Sequence, residues 1–498
     1  MKCVLIHPAW SPEEIFPART ASSQINYWQP LGTLYVGAAM LKAGHEVEFL
    51  NGAFMTHEAI MARVAEIRPG FAGLYSTTFG FPKAVRTANA LKQIDRDMFV
   101  CVGGPYPMAM KTQCLENEGE NFDAVVTGEA EQAIVELLER LAGGKNLAGL
   151  AGVDFRLGTE IIRNPPRALL EDLDSLPFPA RHLLGDKAHY IPPPGQYRRK
   201  PVTILITSRG CDRRCIFCFQ VDKDRQYGSR GVRFRSVGNV LQEIELCLAQ
   251  GYREIKFIDD TFAADYDRAM EICREIKRRR LDFTWFASAC VNQVDRPLLR
   301  AMKEAGCWAM LFGADSGVQK TLNSLHKATT LDMIRRDVKW AKQAGIRVST
   351  PFIFGAPGET RTSIRNTCRA IRAMQPTAVI AMTGVRVYPG TPLAGHLIAA
   401  GRISRADAGL TPTFYIEPDI ADFLPAYLTR QAREAGNWVL PGIEPPLLPA
   451  SQRMLRGLGI SGPLWRLLRF SWMRRLSRSK FRRSTTSWGI PNPRRTLL

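Results

Sequence analysis

The chain of 498 residues is 45% hydrophobic and 23% charged, which is a globular composition, and its length is sufficient for two or three domains. Its 11 scattered cysteines and an N-terminus without the apolar stretch of a secretory signal predict a cytoplasmic protein without disulfides, and no apolar run approaches the roughly 18 to 20 residues of a membrane-spanning helix. The formal net charge of +20 is concentrated between Arg453 and Arg495, where there is no acidic residue, so the remainder is only mildly basic.

Short apolar runs alternate with helical patterns in residues 1–145. The runs KCVLIHP, EVEFLN, FAGLYST, MFVCVGG and FDAVVTGE predict five strands. Helices are predicted at residues 31–43, 58–67, 83–94 and 131–142. Because such alternation is typical of a parallel, doubly wound sheet, we expect a flavodoxin-like α/β domain that binds its ligand at the carboxyl ends of its strands.

A proline-rich segment, residues 146–198, predicts a linker, and a second series of strands follows in residues 199–396. The predicted strands are VTILITS, EIKFIDD, FTWFASA, WAMLFGAD, RVSTPFIFG and AVIAMTGVRVYPG. Amphipathic helices separate them, for example at residues 240–249 and 331–344. Six βα units are fewer than the eight of a closed barrel, so the pattern predicts a partial (β/α)6 barrel with its chemistry at the carboxyl ends of the strands.

Residues 397–498 form a C-terminal extension with a weaker pattern. The segment PLWRLLRFSWMRRL places Leu464, Leu467, Leu468 and Trp472 near one helical face, which predicts a basic amphipathic helix. Three roles fit this tail: a solvated segment, contact with an anionic membrane surface, and contact with nucleic acid.

The segment SRGCDRRCIFCFQ follows the first predicted barrel strand and carries Cys211, Cys215 and Cys218 in the spacing C-x3-C-x2-C. An all-thiolate [4Fe-4S] cluster uses four cysteines, so three would leave one iron open for a substrate or cofactor. A structural zinc site is the alternative, but it needs a fourth ligand. The nearby sequence offers none, because His182 and His189 lie across the proline-rich segment.

This cysteine motif resembles that of the radical S-adenosylmethionine (SAM) superfamily. The resemblance implies that SAM binds the open iron and is cleaved to a 5′-deoxyadenosyl radical by an electron from a donor such as flavodoxin or ferredoxin. It extends to FIDDTF, FGADSG, GAPGET and YPGTPL further along the chain. The implied SAM site comprises Phe217, Asp259, Asp260, Asp315, Ser316 and Gly355. Asp315 stands where the family usually has glutamate.

Each of these residues also has a structural alternative. Asp259 and Asp260 could cap the following helix. Gly355 could form only a tight turn, and Phe217 could be ordinary core. The assignment therefore rests on the joint order of the motifs along the chain.

The N-terminal domain resembles the cobalamin-binding domain that precedes the barrel in one branch of this superfamily. The resemblance lies in residues 29–51, the strand end at residues 76–78, GGPYP and VVTGEAE. The implied cobalamin site comprises Leu31, Gly32, Ser76, Thr77, Gly103, Gly104, Pro105, Gly128 and Glu129. The pattern D-x-H-x-x-G is missing and His7 lacks those neighbours, so we expect no histidine ligand on cobalt; a degenerate domain could also have lost cobalamin.

Three functions follow from these patterns. The resemblance implies a cobalamin-dependent radical SAM C-methyltransferase, acting on an unactivated carbon of a small-molecule or lipid-like substrate. A cyclase or oxidoreductase with the same cofactors is the second, as in the anaerobic magnesium-protoporphyrin ester cyclase group. The third is a nucleic-acid-binding protein with a structural cluster, although Cys3, Cys101 and Cys114 do not form the N-terminal cluster of the tRNA methylthiotransferases. A lipid-like substrate would suit a peripheral position at the inner face of the membrane.

Overall fold

The computed structural model describes residues 1–10, 28–116, 119–190, 192, 197–220, 231–404, 413–440 and 458. The amphipathic helix predicted for the basic tail lies outside these residues. Within the described ranges, none of the helices combines the length and the apolar character that crossing a bilayer requires.

The first half of the chain forms an α/β domain around a single sheet. Its strands are β1 (Lys2–His7), β2 (Glu46–Asn51), β3 (Phe71–Tyr75), β4 (Phe99–Gly103), β5 (Ala124–Val126), β6 (Val153–Leu157) and β7 (Glu160–Ile162). Its helices are α1 (Leu31–Lys42), α2 (His57–Ile67), α3 (Phe81–Ile94), α4 (Pro105–Met110) and α5 (Ala130–Ala142). The first five strands are parallel in the order β2-β1-β3-β4-β5, which is the flavodoxin-like order and confirms the predicted fold class.

Alternation along β1 explains why helices cover both faces of this sheet. Val4 and Ile6 are buried in one core with residues of α2 and α3, whereas Cys3 and Leu5 are buried in another with residues of α1 and α5. Successive side chains of a strand point to opposite faces, so a strand that is apolar at every position requires two layers of helices.

The segment predicted as a linker, residues 146–198, adds two strands to this sheet. Strand β6 pairs antiparallel with β5, and β7 pairs antiparallel with β6. Val153 and Phe155 are buried on one side of β6, and Gly158 has the positive φ of a tight turn before β7. The first part of the predicted linker is therefore sheet, and only its later residues connect the two domains.

The second domain is built on a parallel sheet. Its strands are β8 (Val202–Leu205), β9 (Ser208–Arg209), β10 (Arg233–Phe234), β11 (Glu254–Phe257), β12 (Thr284–Ala289), β13 (Cys307–Phe312), β14 (Arg347–Phe354), β15 (Ala378–Thr383), β16 (Val385–Val387), β17 (Thr413–Tyr415) and β18 (Trp438–Val439). Its helices are α6 (Val237–Ala249), α7 (Tyr266–Arg278), α8 (Arg296–Glu304), α9 (Gln319–Ser324), α10 (Leu331–Gln343), α11 (Arg361–Met374), α12 (Pro392–Ala399) and α13 (Leu424–Ala435).

Seven of these strands form one sheet in the order β18-β15-β14-β13-β12-β11-β8, with all pairs parallel. The six predicted strands are present, and β8 and β18 are the two edges, so the barrel is partial as expected. Its seventh strand, β18, comes from the C-terminal extension rather than from residues 199–396. The extension therefore completes the sheet before the basic tail begins.

A buried group of charges joins the two domains. Glu243 of α6 is fully buried and forms ion pairs with Arg181, at 2.6 Å, and with Arg235. Arg235 also donates to the hydroxyl of Tyr35 on α1 at 3.3 Å, and the ring of Tyr35 packs in one cluster with Ile204 of β8. Helix α1 is thus fixed against the first barrel strand, close to the start of the cysteine loop.

Candidate active site

The loop that carries the three motif cysteines leaves the carboxyl end of the first barrel strand. Strands β9 and β10 close its base as a short antiparallel pair, with Arg209 opposite Arg233. The amide of Cys218 donates to the carbonyl of Cys215 at 3.0 Å, which makes a tight turn between these two cysteines. The amide of Ile216 donates to the barrel at the carbonyl of Leu325, so the loop is fixed above the strand ends.

The three thiols share one charged environment. Lys327 and Asp315 act electrostatically on both Cys215 and Cys218, and Asp260 acts on both Cys211 and Cys218. Burial raises the pKa of the Cys215 thiol to about 11, so without a metal this thiol stays protonated at neutral pH. Metal ions reverse that preference because they bind thiolates, and the donor set therefore fits an iron–sulfur cluster.

A fourth thiol, Cys290, lies beside this loop. In the described part of the chain, Cys211, Asp212 and Cys290 form the one group of metal-ligand side chains whose ligand atoms all lie within 4.8 Å of one another. In a tetrahedral zinc site each sulfur lies about 2.3 Å from the metal, so the sulfurs are less than 4.8 Å from one another. The sulfurs of the three motif cysteines do not all lie this close together. The motif alone therefore does not assemble a zinc tetrahedron. The sequence argument missed Cys290; its position directly after a predicted strand was the available signal.

Asp259 anchors the cysteine loop, a contact that the sequence did not predict. Its carboxylate accepts from the amides of Thr207 and Ser208, each at 2.6 Å, and from their hydroxyls at 3.2 and 3.0 Å. Asp259 is only 3% exposed, and its assignment to the SAM site stays a prediction from the sequence. Capping is not its role, because Asp265 caps helix α7. Its neighbour Asp260 is exposed on the side of the thiols.

Asp315 is paired with a lysine that the sequence argument did not identify. Its carboxylate lies 2.5 Å from the ammonium of Lys327, and both side chains are largely buried. Although burial alone lowers the pKa of a lysine, the Asp315 carboxylate holds the pKa of Lys327 above its usual range. The site therefore presents an ammonium and a carboxylate together beside the thiols.

Ser316 packs into the barrel wall, and its assignment to the SAM site stays a prediction from the sequence. Its hydroxyl lies 3.4 Å from that of Thr367 on α11 and accepts from the amide of Val318 at 3.2 Å. A Cβ at the next residue, Gly317, would lie 2.7 Å from the Cβ of Ala370. The Ser-Gly pair therefore lets α11 approach β13 closely, and the hydroxyl points to the helix.

Phe217 and the turn at Gly355 share an apolar cluster. Phe217 is partly buried against this cluster, which includes Ala356, the residue after Gly355. Gly355 has φ of 102°, a conformation that favours glycine. Its amide and that of Ala356 donate to one oxygen of Glu359, at 2.8 and 3.1 Å. The assignment of Phe217 and Gly355 to the SAM site stays a prediction from the sequence.

The glycine turn carries a pH-dependent contribution to stability. Burial raises the pKa of Glu359 to about 7 from its ordinary 4.5, so the folded protein holds a proton that the unfolded chain releases between these values. This contribution is complete below pH 4.5 and is lost as the pH rises through 7. We expect Glu359→Gln to be less affected by pH and to exceed wild type by about 1–3 kcal/mol at about pH 8. Urea unfolding of both proteins at about pH 5 and pH 8 measures this difference, and parallel curves would contradict it.

The residues predicted to bind cobalamin lie along the carboxyl edge of the N-terminal sheet. They lie at the ends of three strands, β3, β4 and β5, or begin α1: Leu31, Gly32, Ser76, Thr77, Gly103, Gly104, Pro105, Gly128 and Glu129. The amide of Ser76 donates to the carbonyl of Gly103 at 2.8 Å, and a Cβ on Gly104 would lie 2.7 Å from the carbonyl of Ser76. Gly104 therefore permits the two neighbouring turns to pack together at this edge.

Space for a ligand exists along this edge. A Cβ on the exposed Gly32 would meet no atom within 4 Å. At the ends of β1 and β2 a cavity of about 420 Å³ is lined by residues such as Trp10 and Phe54 and by Lys83 and Arg86 of α3, but by none of the residues predicted to bind cobalamin. Turns and open space at the carboxyl ends of parallel strands fit a large planar cofactor.

His7 ends β1 at this edge and is fully satisfied within the protein. Its Nε2 lies 2.8 Å from the hydroxyl of Thr33, and its ring stacks on Tyr75 with centroids 4.3 Å apart. Burial lowers the pKa of His7 to about 3, so its ring is neutral. This agrees with the expectation that His7 is not a cobalt ligand.

The side chain of Glu129 connects the two domains. It binds Arg233 at 2.6 and 2.9 Å, lies 3.4 Å from Arg209, and accepts from the amide of Leu170 at 3.1 Å. Glu131 binds Arg209 at 2.5 Å. The assignment of Glu129 to the cobalamin site stays a prediction from the sequence. The four charged residues, which we call the interdomain clamp, fasten the base of the cysteine loop to the end of β5.

Family comparisons place two known domains on these two units. Residues 205–371 match the radical SAM superfamily, and residues 23–138 match the B12 binding domain. The uncharacterized methyltransferase PH0819 of Pyrococcus horikoshii is 32% identical over 375 residues, covering 74% of this chain and 78% of that protein. The anaerobic magnesium-protoporphyrin IX monomethyl ester cyclase of Rubrivivax gelatinosus is 26% identical, over 76% of this chain and 66% of the cyclase.

A solved structure shares the whole architecture. The radical SAM methyltransferase TsrM from Kitasatospora setae, with cobalamin and a [4Fe-4S] cluster bound, superposes with a TM-score of 0.73 at 19% identity. The match covers 96% of this chain and 99% of TsrM, and at this identity it shows the fold. This chain belongs to the cobalamin-dependent radical SAM methyltransferase family and is an enzyme that uses a [4Fe-4S] cluster, SAM and cobalamin.

Proposed function

We propose that the enzyme transfers a methyl group to an unactivated carbon of a small-molecule or lipid-like substrate. The observation that carries this proposal is the interdomain clamp. Through Arg209 and Arg233 it joins the base of the cysteine loop to Glu129, which lies in the turn after β5 of the B12-binding domain. Two cofactor sites fastened together in this way suit a reaction that needs a radical and a methyl donor at one substrate.

We assign three irons of the cluster to Cys211, Cys215 and Cys218. The thiols of this loop share their charged neighbours, and the loop is fixed on the barrel by Asp259 at its start. When bound, the cluster supplies the electron that cleaves SAM, and cobalamin supplies the methyl group. A one-electron donor such as flavodoxin or ferredoxin would serve as the reductant.

The residues around the thiols are complementary to SAM. Lys327 would bind the carboxylate of its methionine part, and Asp315 would lie near its amino group, because these side chains already form an ion pair of opposite charges at the site. Phe217 and the turn at Gly355 would hold the adenine between an aromatic ring and a rigid backbone. Asp260, exposed on the side of the thiols, is suited to a ribose hydroxyl.

The Rubrivivax relative favours a second candidate function, which is ring closure or oxidation with the same cofactors. In that case the substrate would lose hydrogen and gain no methyl group. A lipid-like substrate would agree with contact between the basic tail and an anionic membrane, but those residues lie outside the described ranges.

Isotope transfer separates these candidates. The reconstituted enzyme with cobalamin, a reductant and SAM labelled with deuterium in its methyl group is incubated anaerobically with cell extract. We expect a product heavier by a deuterated methyl group, together with S-adenosylhomocysteine and 5′-deoxyadenosine, and no such product without cobalamin. Mass spectrometry measures all three. A product that has lost hydrogen, accompanied by 5′-deoxyadenosine alone, would reject methyl transfer in favour of the cyclase type.

A further inference from the structure

Cys290 occupies a fixed position at the carboxyl end of the third barrel strand. It directly follows β12, and its amide donates to the hydroxyl of Thr261 at 3.1 Å and to the side-chain carbonyl of Gln293 at 3.2 Å. Thr261 is buried and is itself bonded to Gln293. These contacts hold the backbone of Cys290 in place at the end of the strand.

The thiol points to the cluster loop. Its sulfur lies within 4.8 Å of the ligand atoms of both Cys211 and Asp212, and Lys327 and Arg213 contribute positive charge around it. Cys290 is partly exposed, whereas Cys247, Cys273, Cys307 and Cys368 of the same domain are buried. Among the described cysteines of the barrel outside the motif, Cys290 is therefore the one that can reach a cluster held by the loop.

We propose that Cys290 binds the fourth iron of the cluster while SAM is absent, and that SAM displaces it. This inference rests on the proposed assignment of the other three irons to Cys211, Cys215 and Cys218. A fourth thiolate completes the four-cysteine set that stabilises a [4Fe-4S] centre.

The exchange is a ligand substitution without electron transfer. The bond from the iron to the sulfur of Cys290 breaks, and bonds from the amino nitrogen and the carboxylate oxygen of SAM form. The thiolate released from the iron takes up the proton that the ammonium of SAM gives up when its nitrogen binds, so protons and charge balance. Until SAM arrives, the thiolate keeps water and oxidants away from the iron that has no other protein ligand.

Mild oxidation of the cluster tests this proposal without turnover. Wild type, Cys290→Ala, Cys290→Ser and the control Cys273→Ala are reconstituted anaerobically as full chains, and their iron is measured. Each protein is then treated with ferricyanide without SAM, and the [3Fe-4S] product that forms on loss of the fourth iron is quantified by electron paramagnetic resonance. Cys273 is a matched control because it is a buried barrel cysteine in the middle of α7.

We expect the [3Fe-4S] signal of Cys290→Ala to be several-fold larger than that of wild type and of Cys273→Ala, and SAM to remove this difference. Cys290→Ser, which keeps a smaller ligand atom of the same geometry, should fall between them.

Equal signals in all four proteins would overturn the proposal. So would a Cys290→Ala protein that oxidises like wild type but loses turnover, because that thiol would serve the substrate radical instead. The two proposals can fail separately. If the assignment of the three motif cysteines is wrong, variants of these cysteines keep their iron. If only the Cys290 proposal is wrong, the motif variants still lose their iron, but Cys290→Ala oxidises like wild type.

Discussion

Cys215→Ala is expected to abolish the cluster and reductive SAM cleavage while leaving the fold intact. The thiol of Cys215 is buried among Lys327, Asp315 and the other motif cysteines, so no water can replace it as a ligand without entering that space. We expect the rate of 5′-deoxyadenosine formation to fall to below about a thousandth of wild type, because enzymes commonly owe at least about 10⁶-fold to their catalytic apparatus. Iron content, visible absorbance and anaerobic SAM cleavage measure the effect.

The control for this change is Cys273→Ala, which removes a buried thiol at a distance from the loop. It should keep the iron content and the rate of wild type. Circular dichroism of both variants separates loss of the cluster from loss of the fold. A Cys215→Ala protein that retained its iron and cleaved SAM normally would show that the metal centre is elsewhere.

Asp259→Ala is expected to destabilise the protein and to loosen the cluster loop. The change leaves the buried amides of Thr207 and Ser208 without an acceptor, and each unsatisfied donor costs about 1–3 kcal/mol. We therefore expect the free energy of unfolding to fall by about 3–5 kcal/mol, with a lower iron content after reconstitution. Urea unfolding of the apoprotein and iron analysis of the reconstituted protein measure the two effects.

Asp260→Ala is the matched control, because it removes the neighbouring carboxylate from an exposed position. Its free energy of unfolding should stay within about 0.5 kcal/mol of wild type. The Asp259 variant could instead keep the stability and iron content of wild type and bind SAM more weakly. That result would contradict the anchoring role and support the assignment of Asp259 to the SAM site.

Most of the fold could be predicted because its strands carry local signals. Runs such as KCVLIHP and AVIAMTG are mostly apolar and buried at most positions, and the amphipathic helices between them have a clear period. Strand β18 has only two residues, which are too few to show the alternation of a strand in the sequence. Its pairing with β15 also depends on where the preceding helix, α13, ends. Strands β6 and β7 were obscured by the proline-rich sequence that follows them.

The cysteine motif could be predicted because its ligands are local, whereas the rest of the site depends on tertiary contacts. Cys290 and Lys327 meet the loop from other strands and turns, which no spacing rule captures. The contacts of Asp259 and Ser316 with the rest of the protein could not be predicted for a related reason. A polar residue at a strand end looks the same in sequence whether it faces the cavity or a neighbouring loop or helix. Successive side chains point in opposite directions, so a shift of one residue along the strand changes which of these the side chain faces.

The interdomain clamp limits how the two halves of this chain can be recombined with foreign domains. Glu129 and Glu131 are at most about one-tenth exposed and depend on Arg209 and Arg233 for their counter-ions. A barrel taken from another protein would leave both carboxylates buried without positive charge unless its hairpin supplied equivalent arginines. Chimeras with exchanged B12 domains should therefore be built so that the acidic and basic members of the clamp travel together.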